Sequence, residues 1–243
     1  MLCTDKPWQY GIKSPRPSEV GKKIYGVFII VRTPPKLPED LNCLFVIWPA
    51  LYSKNWFYQT SLGYHPKWGW HVSAGSTNPQ LPCNLHCEPF KVGGVQFKPK
   101  PNTVYELGIR FIPQNNGKNK VYLYFVDWST ATLYNIFVLE DTEIDLTQPV
   151  YGVIEAYTAD EHELLKLGGD NAFKIEAANW LIEPWISETW PHAYGYDPPS
   201  NENYYRLPEA IRRNIQIRLI SPGKLYIGYK VGGKHYNDGE KIW

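Results

Sequence analysis

The chain has 243 residues, 43% hydrophobic and 20% charged, and its 25 basic and 24 acidic side chains leave a net charge of +1. This composition belongs to a folded domain rather than a disordered one, and the balanced charge argues against a nucleic-acid or anionic-membrane partner held by bulk charge. No apolar run approaches the roughly eighteen residues of a spanning helix, so no membrane span is expected.

The first residues, MLCTDKPWQYG, lack a basic start followed by an apolar stretch, so no export signal is visible. Residues 1–22 carry Pro, Lys and Ser with little periodicity and are expected to form an arm on the surface. The first predicted strand covers 23–32 (KIYGVFIIVR) and stops at Thr33-Pro34-Pro35; the next, 44–48, stops at Pro49. A pair at 55–63 and 68–74 reads as a hairpin around Tyr64-His65-Pro66-Lys67. The stretch 45–75 is dense in Trp and Tyr, which suits a sheet that buries one face and offers rings on the other. By alternation, Trp56, Tyr58 and Thr60 share one face of their strand, and Phe57 and Gln59 the other.

Four cysteines stand at 3, 43, 83 and 87. A Cys-x3-Cys pair beside His86 offers two ligands and no second knuckle, so no metal site is expected. A disulfide between Cys83 and Cys87, pinning a Pro-bounded loop, is the preferred pairing. With a single Met among 243 residues, this fits an oxidising environment, and an extracellular or cell-surface location is expected.

Further along, 90–97 reads as a short strand with a bulge at Gly93-Gly94. Residues 103–112 and 120–127 flank PQNNGKN as a hairpin, and 130–139 is another strand. The apolar run 150–159 (VYGVIEAYTA) carries one carboxylate, Glu155. Residues 164–167 are ambiguous, 172–182 read as strand, and 208–213 as one or two helical turns. A final hairpin, 214–220 with 224–231, closes the chain. Short strands at about ten-residue spacing predict an all-β sandwich or barrel. We read one domain: an arm (1–22), a sandwich core (23–183), and a C-terminal extension (184–243) packing on it.

The order of motifs resembles the glutamic peptidases, or eqolisins, over residues 24–180. The matching pieces are Thr33-Pro34-Pro35, Phe45-Val46-Ile47-Trp48, Tyr58-Gln59-Thr60-Ser61, Gly69-Trp70-His71-Val72, Gly152-Val153-Ile154-Glu155 and Phe173-Lys174-Ile175-Glu176-Ala177. The resemblance implies a concanavalin A-like (jelly-roll) sandwich of two antiparallel sheets. It also implies an acid endopeptidase that needs no cofactor, with Glu155 as general base for water and the Gln59 amide as oxyanion donor. Tyr64, Trp68, Trp70, His71 and Tyr157 are the expected substrate-binding residues around this pair. Two family acids are replaced: Trp48-Pro49 stand where the W-V-G-I-D-G strand has its Asp, and Val72 where W-Y-E-W-Y-P has its Glu. The resemblance therefore fits an active enzyme or an inactive relative.

Three other readings stay open. A lectin-like sandwich would hold a glycan on Trp56, Tyr58, Tyr64, Trp68 and Trp70, and a structural or assembly protein would use neither site. A glycosidase would need two carboxylates set across a groove; the E-x-D-x-x-E-like strand signature of sandwich glycosidases is missing, and no motif pairs Glu155 with Glu176. The expected partner is a polypeptide substrate or a glycan; oligomeric state is not encoded in these motifs.

Overall fold

The computed structural model describes residues 3–243. Two antiparallel sheets pack face to face. One has six strands in the order β14-β1-β11-β3-β4-β5: β1 (Trp8–Lys13), β3 (Phe45–Tyr52), β4 (Phe57–His65), β5 (Gly69–Ser76), β11 (Tyr151–Ala156) and β14 (Tyr194–Tyr196). The other runs β10-β9-β8-β2-β12-β16-β15, with β13 (Ile186–Thr189) also paired to β12. Its members are β2 (Gly26–Arg32), β8 (Val104–Pro113), β9 (Asn119–Asp127), β10 (Thr132–Asp141), β12 (Phe173–Glu183), β15 (Ile215–Ser221) and β16 (Lys224–Tyr229). A small hairpin, β6 (Lys91–Val92) and β7 (Val95–Gln96), stands apart. The sandwich expected from sequence is the fold observed.

Alternation along each strand builds the core. Val27, Ile29 and Val31 of β2 and Tyr105, Leu107, Ile109 and Phe111 of β8 face inward. They meet Phe45, Ile47 and Leu51 of β3 and Tyr58, Leu62 and Tyr64 of β4. Thr60 is fully buried among them and donates from Oγ1 to the Gly108 carbonyl at 2.9 Å, bonding one sheet to the other. The parity expected for β4 holds, with Tyr58 and Thr60 inside and Gln59 on the opposite face. The six-stranded sheet also has a smaller apolar cluster on its outer face: Val46, Trp48, Ala50 and Val153, with Phe57, Tyr151 and Tyr196 against them.

The chain ends differ from the sequence reading. Residues 1–22 are not a surface arm throughout, because Trp8–Lys13 is an internal strand paired on one edge to β11 and on the other to β14. Trp8, Tyr10 and Ile12 alternate into the core, a period-two signal that the flanking Pro and Lys residues obscured. Likewise 184–243 does not merely pack on a finished sandwich: it adds β13 to β16 to the two sheets. Of the ambiguous 164–167, residues 164–166 fall in helix α1 (Glu161–Lys166) and Leu167 is its C-cap; the first turn is capped by the Asp160 side chain accepting from the His162 N–H. A second short helix, α2, spans Glu209–Arg212. Gly93 and Gly94, expected as a bulge, form the turn of the β6–β7 hairpin, both at positive φ.

Candidate active site

Residues paired directly across antiparallel strands point to the same face. The register therefore sets Gln9 (β1), Glu155 (β11), Val46 (β3), Gly63 (β4) and His71 (β5) side by side in one row. This row crosses the outer face of the six-stranded sheet and forms part of a cavity of about 390 Å³. Loops raise its walls. Cys3, Asn42, Cys43 and Leu44 contribute one side, and Leu85, His86 and Cys87 another. Two disulfides stand in those walls: Cys83–Cys87, as expected, and Cys3–Cys43.

Glu155 is the central ionisable group. It is 8% exposed, and burial pushes its pKa up to about 7 against the smaller opposing effect of a hydrogen bond from Gln9. Gln9 Nε2 donates to Glu155 Oε2 at 2.5 Å. The Tyr196 hydroxyl donates to Gln9 Oε1 at 2.9 Å, which fixes the amide's orientation. Among the described residues no protein group bonds the other carboxyl oxygen, Oε1, although Glu155 lines the cavity. Tyr157 and Tyr204 have raised pKa values, through burial first and then through the charge of Glu155.

The cavity brings together Gln59, Trp68, His71, Glu155 and Tyr157 from the expected set. It does not bring Gln59 to Glu155. Glu155 pairs with Val46 and Gln59 with Ala50, so their levels differ by the four residues from Val46 to Ala50. That is about 13 Å along the strands, with two strand spacings, about 10 Å, across them. The Cα atoms are on the order of 16 Å apart, beyond what two side chains sharing one water can span. Gln59 instead donates from Nε2 to the Leu85 carbonyl at 3.2 Å. Leu85 also lines a second depression further along the same face, walled by Tyr52, Phe57, Tyr151 and Tyr204.

Tyr64 and Trp70 lie outside the cavity. They occupy the core-facing positions next to Gly63 and His71, and their polar atoms donate to the Glu39 and Pro38 carbonyls. With Tyr58 also fully buried, three of the five rings expected as a sugar platform are core residues. Gln9 is the site residue that sequence reasoning missed. The signal was present in WQYGIK, where Trp8, Tyr10 and Ile12 alternate with Gln9, Gly11 and Lys13. Among the described residues, no group of three or more His, Cys, Asp or Glu side chains is placed to hold a metal ion.

No protein-family model and no curated protein sequence matches this chain. Solved structures do. Scytalido-glutamic peptidase, in one structure with a transition-state analog inhibitor and in another with a peptide-based transition-state analog, aligns at a TM-score of 0.50. Each alignment covers 93% of this chain and 98% of the peptidase, with 7% identity. The likeness is one of fold. A third structure, of the eqolisin-family peptidase SCP-B bound to the tripeptide Ala-Ile-His, aligns at 0.48. Fold likeness at this identity carries no residue roles with it. Among the described residues no helix is long and apolar enough to cross a membrane.

Proposed function

We propose that this protein is a peptidase-like hydrolase in which Glu155 moves the proton. The observation that carries the reading is a buried carboxyl, its pKa raised to about 7, that lines a cavity with one oxygen held by an amide and the other without a partner among the described residues. Such a group is poised to exchange protons near neutral pH. As the carboxylate, Glu155 takes a proton from water through Oε1 while the water oxygen bonds to the carbonyl carbon of a bound amide. When the C–N bond breaks, its electron pair goes to nitrogen, and the protonated Glu155 returns the proton there. Gln9 and Tyr196 act as positioning residues that keep Oε1 turned toward the cavity.

This assignment moves the amide partner of Glu155 from Gln59 to Gln9. Gln59 serves instead as a binding group further along the groove, where the two depressions meet at Leu85. A groove that continues past the carboxyl in this way suits an extended polypeptide cut internally. Because the base must be ionised, activity should rise with pH through about 7, unlike the acid preference that the family resemblance implied. The fold likeness to glutamic peptidases supports a polypeptide substrate, and the two disulfides fit an extracellular setting.

Digestion of denatured casein from acid to mildly alkaline pH, with wild type beside Glu155→Gln, tests the reading. Cleavage should grow through neutrality in the wild type and vanish in the folded variant. No cleavage at any pH, or equal cleavage by both proteins, overturns it.

A further inference from the structure

His71 faces Glu155 from the other end of the same row, three strand spacings or about 14 Å away. The floor between them is Val46 and Gly63. A Cβ on Gly63 would lie 2.2 Å from the Phe45 carbonyl oxygen, so position 63 has no room for a side chain. A separation of about 14 Å between the two strand positions leaves space for one extended main chain between the side chains.

The ring of His71 is fixed in kind as well as in place. Nδ1 lies 2.9 Å from the Gly69 carbonyl oxygen, which can only accept, so Nδ1 carries the hydrogen and a neutral ring leaves Nε2 as a bare acceptor. Among the described residues Nε2 has no partner, and the residue lines the cavity. Trp68 contacts the ring edge-on at 5.8 Å between centroids. Burial holds the His71 pKa below the ordinary histidine range, and nearby His65 lowers it further against the Gly69 bond. The titratable groups around it are His65 from β4, His86 from the disulfide loop, and Glu155 and Tyr157 across the cavity; among the described residues no Lys, Arg or Asp lines this space. The His71 wall thus presents an acceptor, Nε2, and the Glu155 wall presents one when ionised, so a ligand lying between them must bring a donor to His71.

We infer that His71 is a substrate-binding residue whose Nε2 accepts a hydrogen bond from a main-chain N–H of an extended polypeptide lying between it and Glu155. The inference deepens the hydrolase reading and rests on it for the nature of the bound chain, while its test does not require turnover.

Two measurements decide it. First, nitrogen-15 spectra at neutral pH, with the His71 signal assigned by its loss in His71→Gln, should show a neutral ring protonated on Nδ1; a ring protonated on Nε2 overturns the inference. Second, the Glu155→Gln protein is titrated calorimetrically with a pool of blocked octapeptides from casein, then with singly N-methylated copies of those that bind. Methylation at one position should weaken binding about tenfold, the worth of one hydrogen bond. That discrimination should disappear when His71→Leu is added and persist with His71→Gln, whose side-chain oxygen still accepts. Equal discrimination with leucine, no peptide binding, or binding of cellohexaose in place of peptides each overturns it. If the peptides behave as expected and the wild type cleaves nothing, the hydrolase reading falls and the His71 assignment stands.

Discussion

Replacing Glu155 by Gln should stabilise the protein, and only above a particular pH. In the unfolded chain this carboxyl titrates near its ordinary value of 4.5, and in the folded protein near 7. As pH rises through that window the unfolded chain loses its proton first, so folding becomes progressively less favourable, and the loss is complete once pH exceeds the folded value. The size follows from the two midpoints: about 3 kcal/mol, since each pKa unit is worth about 1.4 kcal/mol. Glutamine keeps the shape and can still accept from Gln9 Nε2, but it has no charge to bury. Urea unfolding at pH 4, 6 and 8, with both disulfides intact, should give nearly matching stabilities at the lowest pH. At the highest, the variant should lead by about 3 kcal/mol, or roughly 6–12 °C in Tm for a chain of this length. A difference between the two proteins that stays constant across the series would refute the claim that Glu155 is held in a desolvated site.

Gln9→Leu removes the bond that opposes burial, so the Glu155 pKa should climb above 7 in a carbon-13 NMR titration, with a stability loss of about 1–3 kcal/mol from the unpaired Tyr196 hydroxyl and carboxyl oxygen. Tyr58→Phe breaks a buried network in which the tyrosine donates to Asp141 Oδ2 at 2.7 Å and accepts from Asn78 Nδ2 at 2.9 Å; urea unfolding should register about 1–3 kcal/mol. Converting Cys3 and Cys43 to Ser opens a loop with a sequence separation of 40, and converting Cys83 and Cys87 opens one of 4. Chain entropy puts these at about 4 and about 2 kcal/mol, so the first pair should cost clearly more in denaturant midpoint. Gly108→Ala brings a Cβ within 2.4 Å of the Tyr124 ring, and displacing that ring should break its 2.8 Å bond to Glu106 and lower Tm.

Much of the sandwich was legible because its strands alternate and are separated by Pro, Gly and Asn. The parity argument separates Tyr58 and Thr60 from Gln59 by face, and the structure assigns the first pair to the core. Glu155 stands out as the one carboxylate in its run, and the structure gives it a buried place beside the cavity of about 390 Å³. What sequence could not supply was register. Gln59 and Glu155 share a face, yet pairing offsets them by two rows, and nothing local to YQTS or VIEA encodes that offset. The same parity, carried one strand further, would have sent Trp70 and Tyr64 to the core as companions of Val72 and Leu62. The family resemblance, which sets rings around the catalytic pair, points to binding for both and outweighs that parity. Gln9 was missed because a six-residue alternation lay between segments rich in Lys and Pro.

The place of β1 ties the carboxyl to both ends of the polypeptide. Residue 9 reaches Glu155 only because Trp8–Lys13 is threaded between β11 and the late strand Tyr194–Tyr196, whose Tyr196 also orients the amide. Proteolytic trimming of a dozen N-terminal residues would uncover the edge of β11, strip the carboxyl of its amide, and open a row of unpaired backbone groups to any passing strand. During synthesis the outer edge of β1 itself waits until Tyr194–Tyr196 has emerged. Nicking, tagging or processing near the start of this chain would thus be felt first in the protonation of a residue nearly 150 positions away.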